Sequence, residues 1–230
     1  MLIDIVTLFP EYFSGPLGES LLKRACKKGL LEWEFHNPRD YSQDRHKTVD
    51  DKPFGGGPGM VLKPEPIFEC VEAIERRKGK GWKIVLDPKG HRLNQTGVQR
   101  LSKKKHLILI AGHYEGIDQR VHEQLADEEI SIGDFVTMGG EAPALCLIEA
   151  VARYIPGVLG NKNSLKDESF QLEGLEYPHY TRPRQYRGFG VPEILISGHH
   201  KAVAQWREKI ARKRTRQRRP DLIKYARRKS

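Results

Sequence analysis

Short apolar runs alternate with helix-patterned segments through the first two-thirds of this 230-residue chain, and that alternation limits the possible folds more than any single motif. Leu2 to Phe9 reads as a strand with a helix after Pro10, and Trp33 to His36 as a short strand. Lys63 to Arg77 has a proline-flagged start and amphipathic helical spacing. Further strands are expected at Lys83 to Leu86, His106 to Ala111 and Ile130 to Ile132, with helices at Asn94 to Ser102, Ile117 to Leu125 and Ala142 to Tyr154. Strands separated by helices return in the same direction instead of forming hairpins. The pattern therefore predicts an α/β domain with a mostly parallel sheet over residues 1–159.

The periodicity disappears from Gly157 to about Gly190, where Gly, Asn, Ser, Pro and charged residues dominate, so residues 160–190 read as a linker with irregular segments. A helical pattern resumes at 191–230 as a small, basic, all-α domain. From Lys201 to Ser230 there are thirteen Lys or Arg against Glu208 and Asp221, a net of +11. The formal charge of the whole chain is +10, so the other 200 residues carry −1. A block this basic fits a polyanion surface, most simply nucleic acid. Ala202, Val203, Trp206, Ile210, Leu222, Ile223 and Tyr225 give it helical apolar spacing, with Pro220 dividing two helices. Arg212, Arg214, Arg216, Arg218 and Arg219 would then face a phosphate backbone.

Cys26, Cys70 and Cys146 are far apart and odd in number, which indicates neither a disulfide framework nor a zinc site. Asp4 interrupts the first apolar run, no small-residue cleavage pattern follows, and no run approaches the roughly 18 apolar residues of a membrane span. A cytoplasmic, reduced protein without membrane partners is expected.

Glycines mark the candidate ligand site. Ser131 to Ala144 reads Ser-Ile-Gly-Asp-Phe-Val-Thr-Met-Gly-Gly-Glu-Ala-Pro-Ala, a strand end broken by Gly133 and Gly139-Gly140 before a helix. Glycine there lets a ligand approach main-chain groups closely, yet the segment matches neither the dinucleotide fingerprint nor the phosphate loop. Three further loops share this character: Val49 to Met60, with four glycines and two prolines in seven residues; Leu86-Asp87-Pro88-Lys89-Gly90; and Ala111 to Asp118. In an open α/β sheet ligands bind beyond the carboxyl ends of the strands, where the last two of these loops and the Ser131 to Ala144 segment would converge.

Several motifs together resemble the bacterial tRNA (guanine-N1)-methyltransferases, members of the SPOUT class. They are Leu8-Phe9-Pro10, Pro38-Arg39-Asp40, the Asp50 to Met60 loop, Gly112-His113-Tyr114-Glu115-Gly116, Ile132-Gly133-Asp134, Gly139-Gly140-Glu141, Pro178-His179-Tyr180-Thr181-Arg182-Pro183, Val191-Pro192-Glu193 and Ser197-Gly198-His199-His200. They run in order through the whole chain.

The resemblance implies methylation of N1 of the guanosine at position 37 of tRNA, beside the anticodon, with S-adenosylmethionine as cofactor. It implies a deep trefoil knot in the mostly parallel sheet domain, a rare departure from unknotted topology. It also implies a homodimer in which one subunit holds the cofactor and the other brings its linker and C-terminal domain to the RNA. Carried over by motif, Gly112, Ile132, Gly133, Asp134, Phe135, Val136 and Thr137 would bind the cofactor, largely through main-chain groups. Leu86, Pro88, Tyr114, Glu115, Gly116, Gly139, Gly140 and Pro143 would line the same cavity.

Guanine N1 carries a proton, so transfer needs a proton acceptor there and a cation to stabilise charge at O6. The resemblance assigns the cation to Arg153 of Arg-Tyr-Ile-Pro-Gly. The family's acceptor is an Asp immediately before a Ser-Phe pair; here Glu168 holds that position, preceded by Asp167. Asp50 lies in a segment the family places near RNA, while His179, Tyr180 and Arg182 would hold the anticodon loop or order the linker. A magnesium ion is compatible with this chemistry, although no carboxylate cluster marks a site for it. Two alternatives share these features: a SPOUT enzyme acting on another RNA, and a non-catalytic RNA-binding protein.

Overall fold

The computed structural model describes residues 1–160, 165, 168–171 and 174–226, with side chains described as far as 223. The chain divides into two units, Met1–Gly160 and Asn161–Ser230.

In the first unit five strands form one sheet: β1 Leu2–Val6, β2 Glu32–His36, β5 Trp82–Arg92, β6 His106–Ala111 and β7 Glu128–Ser131. Their order is β2-β1-β6-β5-β7 and every pairing is parallel. Two-residue strands β3 Asp50–Asp51 and β4 Val61–Leu62 form a separate antiparallel pair. The helices are α1 Ser14–Leu17, α2 Ser20–Lys27, α3 Pro64–Lys78, α4 Gln95–Leu101, α5 Gln119–Gln124 and α6 Glu141–Ala152.

All six residues of β6 are buried, as a strand covered on both faces requires. Leu107 and Leu109 join a core with Phe13, Leu17, Leu22, Val98, Leu101, Leu147 and Val151, so α1, α2, α4 and α6 cover one face. Ile108 and Ile110 join Ile67, Val71, Ile74 and Val121, so α3 and α5 cover the other. The period of two along β6 thus separates two cores.

Several boundaries differ from the sequence expectation. The first strand ends at Val6, because Thr7 and the Leu8-Phe9-Pro10 segment turn the chain into a 3-10 helix at Pro10–Phe13. The strand expected to end at Leu86 continues to Arg92. Leu86 and His91 both align with Ile130, so residues 87–90 bulge out of the ladder. The last sheet strand lies at Glu128–Ser131 rather than Ile130 to Ile132.

A charged network is buried in the sheet. Asp4, fully buried, accepts from Lys78 Nζ at 2.7 Å and lies 2.7 Å from Nε2 of both His36 and His106. Burial opposes its ionisation, but hydrogen bonds from His36, Lys78 and His106 overcome that cost and hold its carboxyl at about 2. Asp4, Glu34 and His36 have metal-type ligand atoms within 4.8 Å of one another. Lys78 Nζ already supplies the cation there, 2.7 Å from Asp4 and 2.6 Å from Glu34.

In the second unit, α7 His200–Arg218 and α8 Pro220–Ala226 follow a 3-10 helix at Glu193–Ile196. The region read as an unpatterned linker contains a hairpin, β8 Gln185–Tyr186 paired with β9 Phe189–Gly190. Its two turn residues, Arg187 and Gly188, have φ of 51° and 82°, the conformation that a tight two-residue hairpin needs. No described helix is long and apolar enough to cross a membrane.

Candidate active site

The bulge of β5 and the carboxyl ends of β6 and β7 border a cavity of about 360 Å³, within the roughly 300–1,000 Å³ of small-molecule sites. The bulge within β5 and the residue before it contribute Leu86, Asp87, Pro88 and Lys89. The exit of β6 contributes Gly112 to Ile117, and the segment after β7 contributes Ile132 and Phe135 to Gly140, with Pro143 of α6 behind it.

Backbone contacts hold these three exits together. Gly140 N–H donates to Gly112 O at 2.8 Å, and His113 and Gly139 form an isolated bridge. A Cβ on Gly140 would lie 2.7 Å from Ala111 Cα and 2.8 Å from Gly112 N. Only glycine lets the two chain segments pass at that distance. Hydroxyl groups fix the remaining loop geometry: Ser131 Oγ donates to Gly133 O at 2.9 Å, and Thr137 Oγ1 to Gly139 O at 2.7 Å. Glu115 N–H donates to Met60 O and Leu62 N–H to Gly116 O, each at 3.0 Å, which ties the β6 exit to the end of the glycine-rich loop at 49–60.

Of the residues expected at the cofactor, Leu86, Pro88, Gly112, Tyr114, Glu115, Gly116, Ile132, Phe135, Val136, Thr137, Gly139, Gly140 and Pro143 line this cavity. Gly133 and Asp134 are absent from its lining. Gly133 lies beneath the Phe135 ring, and Asp134 is exposed and paired with Arg92 at 3.3 Å. The sequence reading did not name Asp87, Lys89 and His113 as lining residues, whereas Met138, beside Gly139, also lines the cavity. His113 had a signal, since it sits inside the Gly112 to Gly116 motif; its ring centroid lies 4.8 Å from that of Phe9. Around the cavity Phe9, Tyr114, Phe135, Val136 and Met138 are exposed.

Arg153 caps the C-terminus of α6 and is exposed, at the end where a cation complements the helix dipole. Asp50 is half-buried on β3, paired in register with Leu62. The other expected functional residues belong to the second unit. Glu168 lines a cavity of about 710 Å³ with Arg207, Arg212 and Arg216, while Asp167 lies outside the described residues. His179, Tyr180 and Arg182 line another, of about 460 Å³. Arg212 pairs with Glu208 at 2.6 Å, and Arg214 Nη1 donates to Glu176 O at 3.5 Å.

The fold and the site define the class: an α/β protein with a parallel sheet and a candidate small-molecule cavity at its strand exits. The comparisons give the particular family. A family model described as tRNA (Guanine-1)-methyltransferase TrmD matches residues 1–225. The tRNA (guanine-N(1)-)-methyltransferase of Carboxydothermus hydrogenoformans is 54% identical over 224 residues, covering 97% of this chain and 88% of its own length. That of Geobacillus kaustophilus is 51% identical over 223 residues, covering 97% and 91%. The chain belongs to the tRNA (Guanine-1)-methyltransferase TrmD family.

Proposed function

We propose that this protein methylates N1 of the guanosine at position 37 of tRNA, using S-adenosylmethionine held in the cavity at the β5, β6 and β7 exits. The observation that carries the reading is the convergence of the three exits in a chain whose whole length matches one methyltransferase family. The lining suits the cofactor chemically: Leu86, Ile130 and Ile132 offer apolar walls, and the glycine-rich segments expose main-chain polar groups. The passage of Gly140 across the Ala111–Gly112 backbone supports the deep trefoil knot, which belongs to this reading. So does a division into a cofactor domain at 1–159, a linker at 160–190 and a helical tRNA-binding domain at 191–230. Exposed Phe135, Val136 and Met138 beside the cavity support a homodimer, with the second copy covering them. The cytoplasm is the expected compartment.

When bound, the cofactor supplies an electrophilic sulfonium methyl group. Glu168, in the position of the family's acidic residue, takes the proton from guanine N1, with Asp167 as the alternative acceptor. Arg153 stabilises the charge that moves to O6. In the dimer these residues come from different copies, Arg153 with the cofactor and Glu168 with the linker. Asp50, His179, Tyr180 and Arg182 contact the anticodon loop, Tyr180 by stacking on an exposed base. Arg212, Arg214 and Arg216 meet phosphates.

The test is single-turnover methyl transfer to tRNA, run with and without magnesium, followed by primer extension across the product. N1 methylation blocks Watson–Crick pairing and stops the polymerase. A stop anywhere except beside the anticodon overturns the position. Normal rates in both Glu168→Gln and Asp167→Asn overturn the acceptor.

A further inference from the structure

We propose that Thr215 is a positioning residue that docks the Glu168-bearing segment onto the basic helix α7, so that one rigid element carries both the proton acceptor and the phosphate-binding arginines. The inference rests on the reading of Glu168 given above. Along the nineteen residues of α7 the only buried one is Thr215, a β-branched polar residue that helix propensity does not favour there. Its hydroxyl is used twice: Oγ1 donates to Ala211 O at 2.8 Å and accepts from Leu175 N–H at 2.9 Å. The partner position is Gly174, where a Cβ would fall 2.9 Å from Thr215 Oγ1. Glycine and threonine therefore fit as a pair.

The described residues next to the acceptor are held by hydrogen bonds of their own. Phe170 N–H donates to Gly174 O at 2.7 Å, and Glu176 N–H to Ser169 Oγ at 3.1 Å. Phe170 holds a φ of 73°, a left-handed conformation that a bulky residue keeps only where its surroundings impose it. Further contacts come from the helical region: Arg214 reaches Glu176 O, the Arg207 guanidinium lies 4.6 Å from the Tyr177 ring, and Arg219 lies 5.7 Å from the Phe170 ring. Arg212 and Arg216 line the same cavity as Glu168. Engagement of RNA by the helix thus presents the acceptor in a set position, provided that Thr215 holds the segment.

The experiment uses the full-length protein and unmodified tRNA, with Thr215→Val, Thr215→Ser and Gly174→Ala. Thr215→Val leaves the Leu175 N–H without its partner and should slow single-turnover methylation about tenfold while tRNA affinity stays within about twofold. Exchange of the Leu175 amide with solvent should accelerate. Thr215→Ser should restore both readouts, and Gly174→Ala should reproduce the defect from the other side. In a Glu168→Gln background, Thr215→Val should add no further loss, because it acts through that side chain. A wild-type rate in Thr215→Val, or rate and affinity falling together in both Val and Ser variants, overturns the proposal. If Glu168→Gln alone turns over normally, the assignment of the acceptor to Glu168 fails. Leu175 exchange then still decides separately whether Thr215 holds the segment.

Discussion

Thr7 and Glu141, separated by 134 positions, share a buried hydrogen bond in which Thr7 Oγ1 donates to Glu141 Oε1 over 2.8 Å. It joins the carboxyl end of β1 to the first turn of α6, directly after the Gly139-Gly140 pair that walls the cavity. Thr7 Oγ1 also accepts from Phe9 N–H at 3.0 Å, so one hydroxyl fixes both the turn after β1 and the helix start. Thr7→Val keeps the volume and leaves the Glu141 carboxylate buried without its donor. That should cost about 2 kcal/mol in urea unfolding and weaken S-adenosylmethionine binding in calorimetry. Thr7→Ser should recover most of both.

Gly140→Ala tests a different constraint, because Gly140 is not in a left-handed conformation and the objection to alanine is purely steric. The added Cβ would meet Ala111 Cα at 2.7 Å, and neither is the flexible end of a side chain. The loop must move away from the β6 exit and break the Gly140 N–H to Gly112 O bond. Cofactor affinity should fall at least about tenfold, a loss of about 1.4 kcal/mol, measured by calorimetry. Unchanged affinity would show that the close passage is not needed for the site.

Much of this arrangement could be read from residue order, for reasons that differ by element. The β6 run from Leu107 to Ala111 is apolar throughout, so its burial and parallel neighbours followed from composition alone. The β5 extension could not be read, because Pro88 and Gly90 are turn residues and the pairing of His91 with Ile130 depends on a distant strand. The β8–β9 hairpin was too short for its period to register, although Arg187-Gly188 between Tyr186 and Phe189 was a turn signal. At the cavity, glycines announced backbone approach, whereas Asp87 and Lys89 enter it only through the bulge. Asp4 looked like a break in an apolar run. Its three partners lie on β2, α3 and β6, which only the fold brings together.

Asp4 should leave a signature in acid. Its carboxyl stands at about 2 in the folded protein against an ordinary 3.8, so the folded state favours the ionised form. The resulting stability is complete above about pH 4 and is lost as the pH falls through about 2, amounting to about 2 kcal/mol. Urea unfolding of wild type and Asp4→Asn across this range should show a stability gap that narrows toward pH 2. A constant gap would mean that the charge of Asp4 contributes nothing.

Cys70 should be chemically silent in the folded protein. Burial pushes its thiol up to about 12, and it sits on the inner face of α3 with Ile67 and Ile74. The thiolate that reacts with disulfide reagents is therefore scarce as well as inaccessible. Labelling followed by peptide mapping should modify Cys70 only at denaturant concentrations that unfold the first unit. Modification at the rate of exposed Cys26 would contradict this placement.

The arginines of α7 should not contribute equally to RNA binding. Arg214 is half-buried and reaches the Glu176 carbonyl, whereas Arg216 is exposed along the cavity edge. A side chain that meets a phosphate releases counterions, so removing it should lower the slope of log affinity against log salt by about 0.7 to 0.9. Arg216→Ala should show that reduction, with single-turnover rates at saturating tRNA close to wild type. Arg214→Ala should instead loosen the Glu168 segment and lower the rate, changing the salt slope less. Equal slopes for wild type and Arg216→Ala, measured between about 50 and 200 mM salt, would remove Arg216 from the phosphate contacts.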